Sequence, residues 1–169
     1  LPTVAKSISR ETTFSKDTGD RSLLKATLRY LGERVGSDLR QKGKRARCIT
    51  LKLRYADFTT ITRRHTLSQA SDTDQTIFDT GLRLLNKALA EERQAVRLIG
   101  IGVSNLVEAS RQLEMLDSSA QRQEQLNRAI DRIRKKYGFT AIQTGRTLKL
   151  KDIFPEADGE KAKLMSLSE

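Results

Sequence analysis

The stretch ITLKLRYADFTTITRRHTL, residues 49–67, decides how the rest of the chain is read. In its first half Ile49, Leu51, Leu53 and Tyr55 fall on one parity, while Thr50, Lys52 and Arg54, with Cys48 before them, fall on the other. Strand side chains point to opposite faces in turn, so this is a strand with an apolar face and a basic one. Ala56 to Thr59 is short enough for a hairpin connection, and Thr60 to Leu67 is a second β-type run, rich in Thr and carrying Arg63, Arg64 and His65. The two strands are expected to pair antiparallel.

Upstream, Leu24, Leu28, Leu31, Val35 and Leu39 recur at helical spacing, predicting an amphipathic helix of about five turns entered through the turn at Asp17 to Asp20. Before it, KSISRETTF at 6–14 favours a strand. Ile8 and Phe14 share a parity with Arg10 and Thr12, which leaves the buried face of that strand open. Downstream, Phe78, Leu82, Leu85 and Leu89 mark a second amphipathic helix, with Ser71 or Thr73 as its cap. In AVRLIGIGVSNL at 95–106, Ile99, Ile101 and Val103 alternate with Gly100, Gly102 and Ser104, giving a strand with one greasy face and one nearly bare face.

The order β-α-β-β-α-β predicts an α+β fold: a four-stranded antiparallel sheet with two helices on one face. The other face then stays open. Thr50, Lys52, Arg54, part of 60–66 and the glycines of the last strand are expected there, a shallow, positive, hydroxyl-lined surface that suits a sugar–phosphate backbone.

Charge agrees with this placement. The 169 residues hold 32 Lys and Arg against 21 Asp and Glu, a net charge of +11, which points to a polyanionic partner. Residues 1–107 carry 20 basic and 11 acidic side chains, so most of the excess lies in the sheet region. A lone Cys48 and a lone His65 cannot make an internal disulfide, a zinc site or a nucleophile–base–orienter set, and the redox context reads as cytosolic. No apolar run is long enough to span a bilayer and no secretion signal opens the chain. The start at Leu1 suggests a piece of something longer.

Together, KSISRETTF at 6–14, ITLKLRYADFTTITRRHTL at 49–67 and VRLIGIGVSNL at 96–106 resemble the little-finger (polymerase-associated) domain of Y-family translesion DNA polymerases, of the DinB or DNA polymerase IV type. The resemblance covers about residues 1–107 and implies a non-catalytic domain that grips template–primer duplex DNA across the open face. It implies backbone contacts from Lys6, Ser7, Ser9 and Arg10 in the first strand, and from Thr62, Arg63, Arg64 and Thr66 in the third. Gly100, Gly102 and Ser104 follow in the fourth strand, beside Lys52 and Arg54 from the basic parity of the second. The family's nucleotidyltransferase activity resides in a palm domain whose acidic residues hold Mg²⁺, so the metal is expected in the parent's catalytic core and no metal or catalytic residue is expected here. The implied location is the cytoplasm of a bacterium, on its nucleoid, with no membrane partner.

Past the sheet region, 108–118 reads as a linker. Within it Gln112, Leu113, Met115 and Leu116 resemble the short peptide by which bacterial polymerases bind a sliding clamp. Residues 119–154 read as a helical extension whose stripe Leu126, Ala129, Ile130, Ile133 and Tyr137 should dock on something before a stop at Gly138, and 155–169 as a polar, disordered tail. A rival reading from another class is a basic α+β RNA-binding module, which would stack bases on exposed sheet aromatics.

Overall fold

The computed structural model describes residues 6–109, 118–143 and 167–168. Its elements are β1 (Ser7–Thr18), α1 (Arg21–Gln41), β2 (Lys44–Tyr55), β3 (Thr60–Ser71), α2 (Asp74–Glu91), β4 (Val96–Glu108), α3 (Ser118–Tyr137), a 3-10 turn at Phe139–Ala141, and the two-residue β5 (Leu167–Ser168). The sheet order is β3-β2-β4-β1-β5, antiparallel throughout. The four long strands are those read from the sequence; β5 pairs with Glu11 and Thr12 on the outer edge of β1 and was not foreseen. It is the only part of the expected tail 155–169 among the described residues.

Helix α1 starts at Asp20, whose carboxylate accepts the N–H groups of Ser22 and Leu23 at 2.9 and 3.3 Å, satisfying two of the donors that a helix start leaves free. Leu24, Leu28, Leu31, Val35 and Leu39 are all fully buried against the sheet. Of the two proposed caps of α2, Thr73 takes the role, its hydroxyl accepting the Thr76 N–H at 3.3 Å. Phe78, Leu85 and Leu89 complete a single core with Ile49, Leu51, Leu53 and Tyr55 of β2 and Ile99, Ile101 and Val103 of β4. The open parity of β1 resolves the same way: Ile8, Arg10, Thr12 and Phe14 face the helices, and Thr12 is buried.

Helix α3 departs from its expected packing. Its apolar stripe does not dock: Leu126, Ile133 and Tyr137 are 53, 38 and 65% exposed, while Glu124, Asn127 and Arg134 are buried. The receiving surface explains this. The C-terminal half of α1, the start of β2 and the β3–α2 junction have already committed their apolar side chains to the core, and they present Arg40, Arg45, Asp72 and Asp74. Arg40 forks onto Asp131 through Nε and Nη2 at 2.6 and 2.9 Å and reaches Asp74 at 2.8 Å. Glu124 accepts from Arg45 at 3.3 Å, and Asn127 accepts the Asp74 N–H at 3.3 Å. Gly36 makes room for this cluster, since a Cβ there would lie 2.1 Å from Oδ1 of Asp74. The helix ends before Gly138, at φ 102°, and Phe139 packs edge-on against Tyr30.

A candidate nucleic-acid interface

With α1, α2 and α3 all on one side, no described element covers the other side of the sheet. Register turns that side into four cross-strand rows, read from β3 to β1: Thr66, Cys48, Ser104, Ser7; Arg64, Thr50, Gly102, Ser9; Thr62, Lys52, Gly100, Glu11; and Thr60, Arg54, Leu98, Thr13. Three cations, one carboxylate and a set of hydroxyls make up the polar groups, and no aromatic side chain occurs in the rows. Tyr55 is buried on the helix side, where its hydroxyl pKa is raised by burial and the nearby Glu92 carboxylate.

The two glycines shape the middle of this face into a trough of about 350 Å³, lined by Ser7, Ser9, Glu11, Thr50, Lys52 and Thr62 among others. A Cβ on Gly100 would sit 2.8 Å from the Glu11 Cβ and 3.2 Å from the Arg10 carbonyl oxygen; one on Gly102 would sit 3.0 Å from the Ser9 Cβ. Neither close neighbour is the far end of a flexible chain, so the glycines let β1 lie against β4 and leave a floor of bare backbone. Above Gly100, Lys52 reaches Glu11 at 3.1 Å. Glu11, the only acidic group in the rows, carries no signal in the sequence, because the mixed alternation of β1 does not fix its buried face; its place beside Gly100 in the register assigns it.

The expected contact residues divide between the two faces. Ser7, Ser9, Lys52, Arg54, Thr62, Arg64, Thr66, Gly100, Gly102 and Ser104 come together on the uncovered side, and Lys6 is exposed just before β1. Arg10 and Arg63 go the other way. Arg10 lies at the parity of Ile8 and Thr12 and pairs with Asp38 of α1 at 3.0 Å, and Arg63 lies at the parity of Ile61 and pairs with Glu91 of α2 at 3.3 Å. Strict period-two alternation separates both from their neighbours, because adjacent strand residues cannot share a face. His65 shares the parity of Arg63 and is exposed. Gln112, Leu113, Met115 and Leu116 lie outside the described residues.

Asp57 is exposed at the β2–β3 turn, where its carboxylate accepts the Thr59 N–H at 2.9 Å, and this hydrogen bond lowers its pKa. Phe58 beside it adopts φ 70° and stacks under the Arg97 guanidinium at 4.5 Å. Among the described residues no group of three or more His, Cys, Asp or Glu side chains is placed to share a metal ion, and no helix is long and apolar enough to cross a membrane.

Residues 5–115 match the impB/mucB/samB family C-terminal domain. The chain is 48% identical over 154 residues to a DNA polymerase IV of Dehalococcoides mccartyi, covering 91% of this chain and 39% of the relative. To the DNA polymerase IV of Caulobacter vibrioides it is 41% identical over 146 residues, covering 85% and 36%. It therefore spans less than half the length of these relatives. Among solved structures, the post-insertion binary complex of Dbh DNA polymerase superposes with a TM-score of 0.55 at 16% identity, over 60% of this chain and 29% of that one. DinB from Sulfolobus solfataricus gives 0.54 at 16% identity over 60% and 29%, a likeness of fold. The sheet order, the two helices on one side and the matched segment agree, and the chain belongs to the impB/mucB/samB family, matching its C-terminal domain.

Proposed function

We propose that this domain grips template–primer duplex DNA along the uncovered face of its sheet, without regard to sequence, as an accessory part of a translesion polymerase. The observation that carries the reading is the four-row face: Arg64, Lys52 and Arg54 among Ser and Thr hydroxyls, around a backbone trough. Phosphate oxygens accept from the cations and from Ser7, Ser9, Thr50, Thr62, Thr66 and Ser104, and the bare glycine floor lets the sugar–phosphate chain approach closely. The rows hold no Asn or Gln to fork onto a base edge and no aromatic ring on which a single-stranded base would stack.

Fluorescence anisotropy with unrelated labelled duplexes tests it. Affinity should be alike for all of them and fall with salt at a log–log slope of about −0.9 per neutralised phosphate. A preference for one sequence, or for single-stranded RNA over duplex DNA, overturns it.

Within the whole polymerase, nucleotidyl transfer belongs to a separate palm in which acidic residues hold Mg²⁺, and no residue of this chain is assigned to that step. Gln112, Leu113, Met115 and Leu116 tether the enzyme to a sliding clamp, which raises its effective concentration at the primer. Replacing Gln112 and Leu116 together by Ala should abolish clamp pull-down and spare DNA binding. The setting for both partners is the bacterial cytoplasm, at the nucleoid.

A further inference from the structure

We infer that a pocket at the C-terminal end of α2, beside the β2–β3 turn, binds the guanidinium group of an arginine presented by a partner protein. The pocket holds about 240 Å³ and is lined by Tyr55, Asp57, Arg63, Glu91, Glu92 and Gln94 among others. Its floor is Tyr55, 1% exposed, whose hydroxyl is buried and finds no hydrogen-bond partner. Glu92, Arg63 and Glu91 are the charges that act on this hydroxyl, which places it beneath the rim side chains. A buried polar oxygen left unpaired is costly, and a ligand that supplies the missing hydrogen bond recovers that cost.

The rim decides the sign of the ligand. It sets three carboxylates against one guanidinium, in a chain whose net charge is +11. Arg63 is committed to Glu91 at 3.3 Å. That leaves Asp57 and Glu92, both exposed and neither in an ion pair with a described residue. Two hydrogen bonds fix the Asp57 side: its carboxylate accepts the Thr59 N–H at 2.9 Å, and Gln94 Oε1 accepts the Asp57 N–H at 2.8 Å. An anion would meet two unneutralised carboxylates. A bare metal ion would find, among the described residues, no group of three or more His, Cys, Asp or Glu side chains placed to share it. A guanidinium brings five N–H donors in a flat fork, enough to serve both carboxylates and the phenolic oxygen. The ammonium of a lysine or a polyamine is a compact charge that holds its water more tightly. The pocket opens on the helix side of the sheet, the side of Ile61 and Arg63, so its ligand does not compete with the uncovered face.

The test is an NMR titration of the isotope-labelled full chain at low salt with N-acetyl-arginine methylamide. The Thr59 N–H and the Gln94 side-chain amide should shift together and saturate. The citrulline counterpart, of the same shape but neutral, should give no shift, and the lysine counterpart, spermidine and Mg²⁺ should each bind about threefold more weakly or worse. Tyr55→Phe and Glu92→Gln should each weaken arginine binding by about tenfold. Tyr55→Phe should also keep its urea midpoint and its affinity for duplex DNA, because the hydroxyl it removes has no partner and lies away from the uncovered face. Absence of saturable shifts, equal binding of the citrulline compound, binding of the lysine compound, spermidine or Mg²⁺ as tight as that of arginine or tighter, or an affinity unmoved by Tyr55→Phe overturns the inference. So does a lower urea midpoint for Tyr55→Phe, which would mean that the hydroxyl is engaged within the fold.

Discussion

Arg63 and Arg64 are adjacent in sequence and serve opposite sides of the sheet. Arg64→Ala should weaken duplex binding equally on unrelated sequences and reduce the salt slope by about 0.9, the share of one phosphate. Arg63→Ala should leave that slope unchanged, because Arg63 spends its charge on Glu91; equal losses from the two would show that β3 presents both. Glu11→Gln makes the converse case. Removing the one carboxylate of the rows frees Lys52 and lifts a repulsion from the approaching phosphates, so affinity at low salt should rise by roughly threefold to tenfold in the same titration, a gain that added salt erases. Gly100→Ala should do harm twice. Its methyl group meets Glu11 at the Cβ, which costs about 1–3 kcal/mol of stability in a urea melt, and it raises the floor of the trough, which weakens binding.

At the level of elements, helix α3 is held by ions. Asp131→Asn removes the charge that Arg40 forks onto, and Gly36→Ala drives a methyl group into Asp74. Either should speed hydrogen exchange across 118–137 while β2 and β4 keep their protection; loss of protection in both regions together would mean that the helix is integral to the core. This docking was the least legible part of the sequence. The strands at 49–55 and 99–103 and the helices around Leu31 and Leu85 announced themselves because their apolar residues repeat at the period of their own backbone and all find the same core. For α3 the same rule pointed to the wrong face, since the surface awaiting it carries Arg40, Arg45, Asp72 and Asp74, a fact that exists only once residues far apart in sequence meet. The candidate site was legible in proportion to parity: wherever alternation was clear, as in β2 and β4, the assigned face was the observed one. In β1 and β3, where charged and hydroxyl residues occupy both parities, Arg10 and Arg63 were swept in with their neighbours.

Across the whole molecule, the buried ions set a dependence on pH. Glu33 is almost fully buried in α1, and burial pushes its carboxyl up from the ordinary 4.5 to about 6, although Arg29 and Arg134 stand at 3.5 and 3.9 Å. Those separations are too long to recover the lost hydration. Burial likewise raises Asp72 and Asp74, against the pull of Arg45 and Arg40. A carboxyl that holds its proton more tightly folded than unfolded stabilises the fold below its unfolded value, and the benefit is lost as pH rises through the folded one. Lowering the pH from 7.5 to 5 should therefore move the urea midpoint upward, with about 1 kcal/mol from Glu33. Glu33→Gln should raise the midpoint at pH 7.5 and flatten the curve; a midpoint that falls over this range contradicts the account. The ionic seating of α3 also bears on ancestry. A helix seated on grease leaves a sticky scar when it is lost, but Arg40, Arg45, Asp72 and Asp74 would simply hydrate, so an appendage of this kind can be gained or shed by descendants without rebuilding the body that carries it.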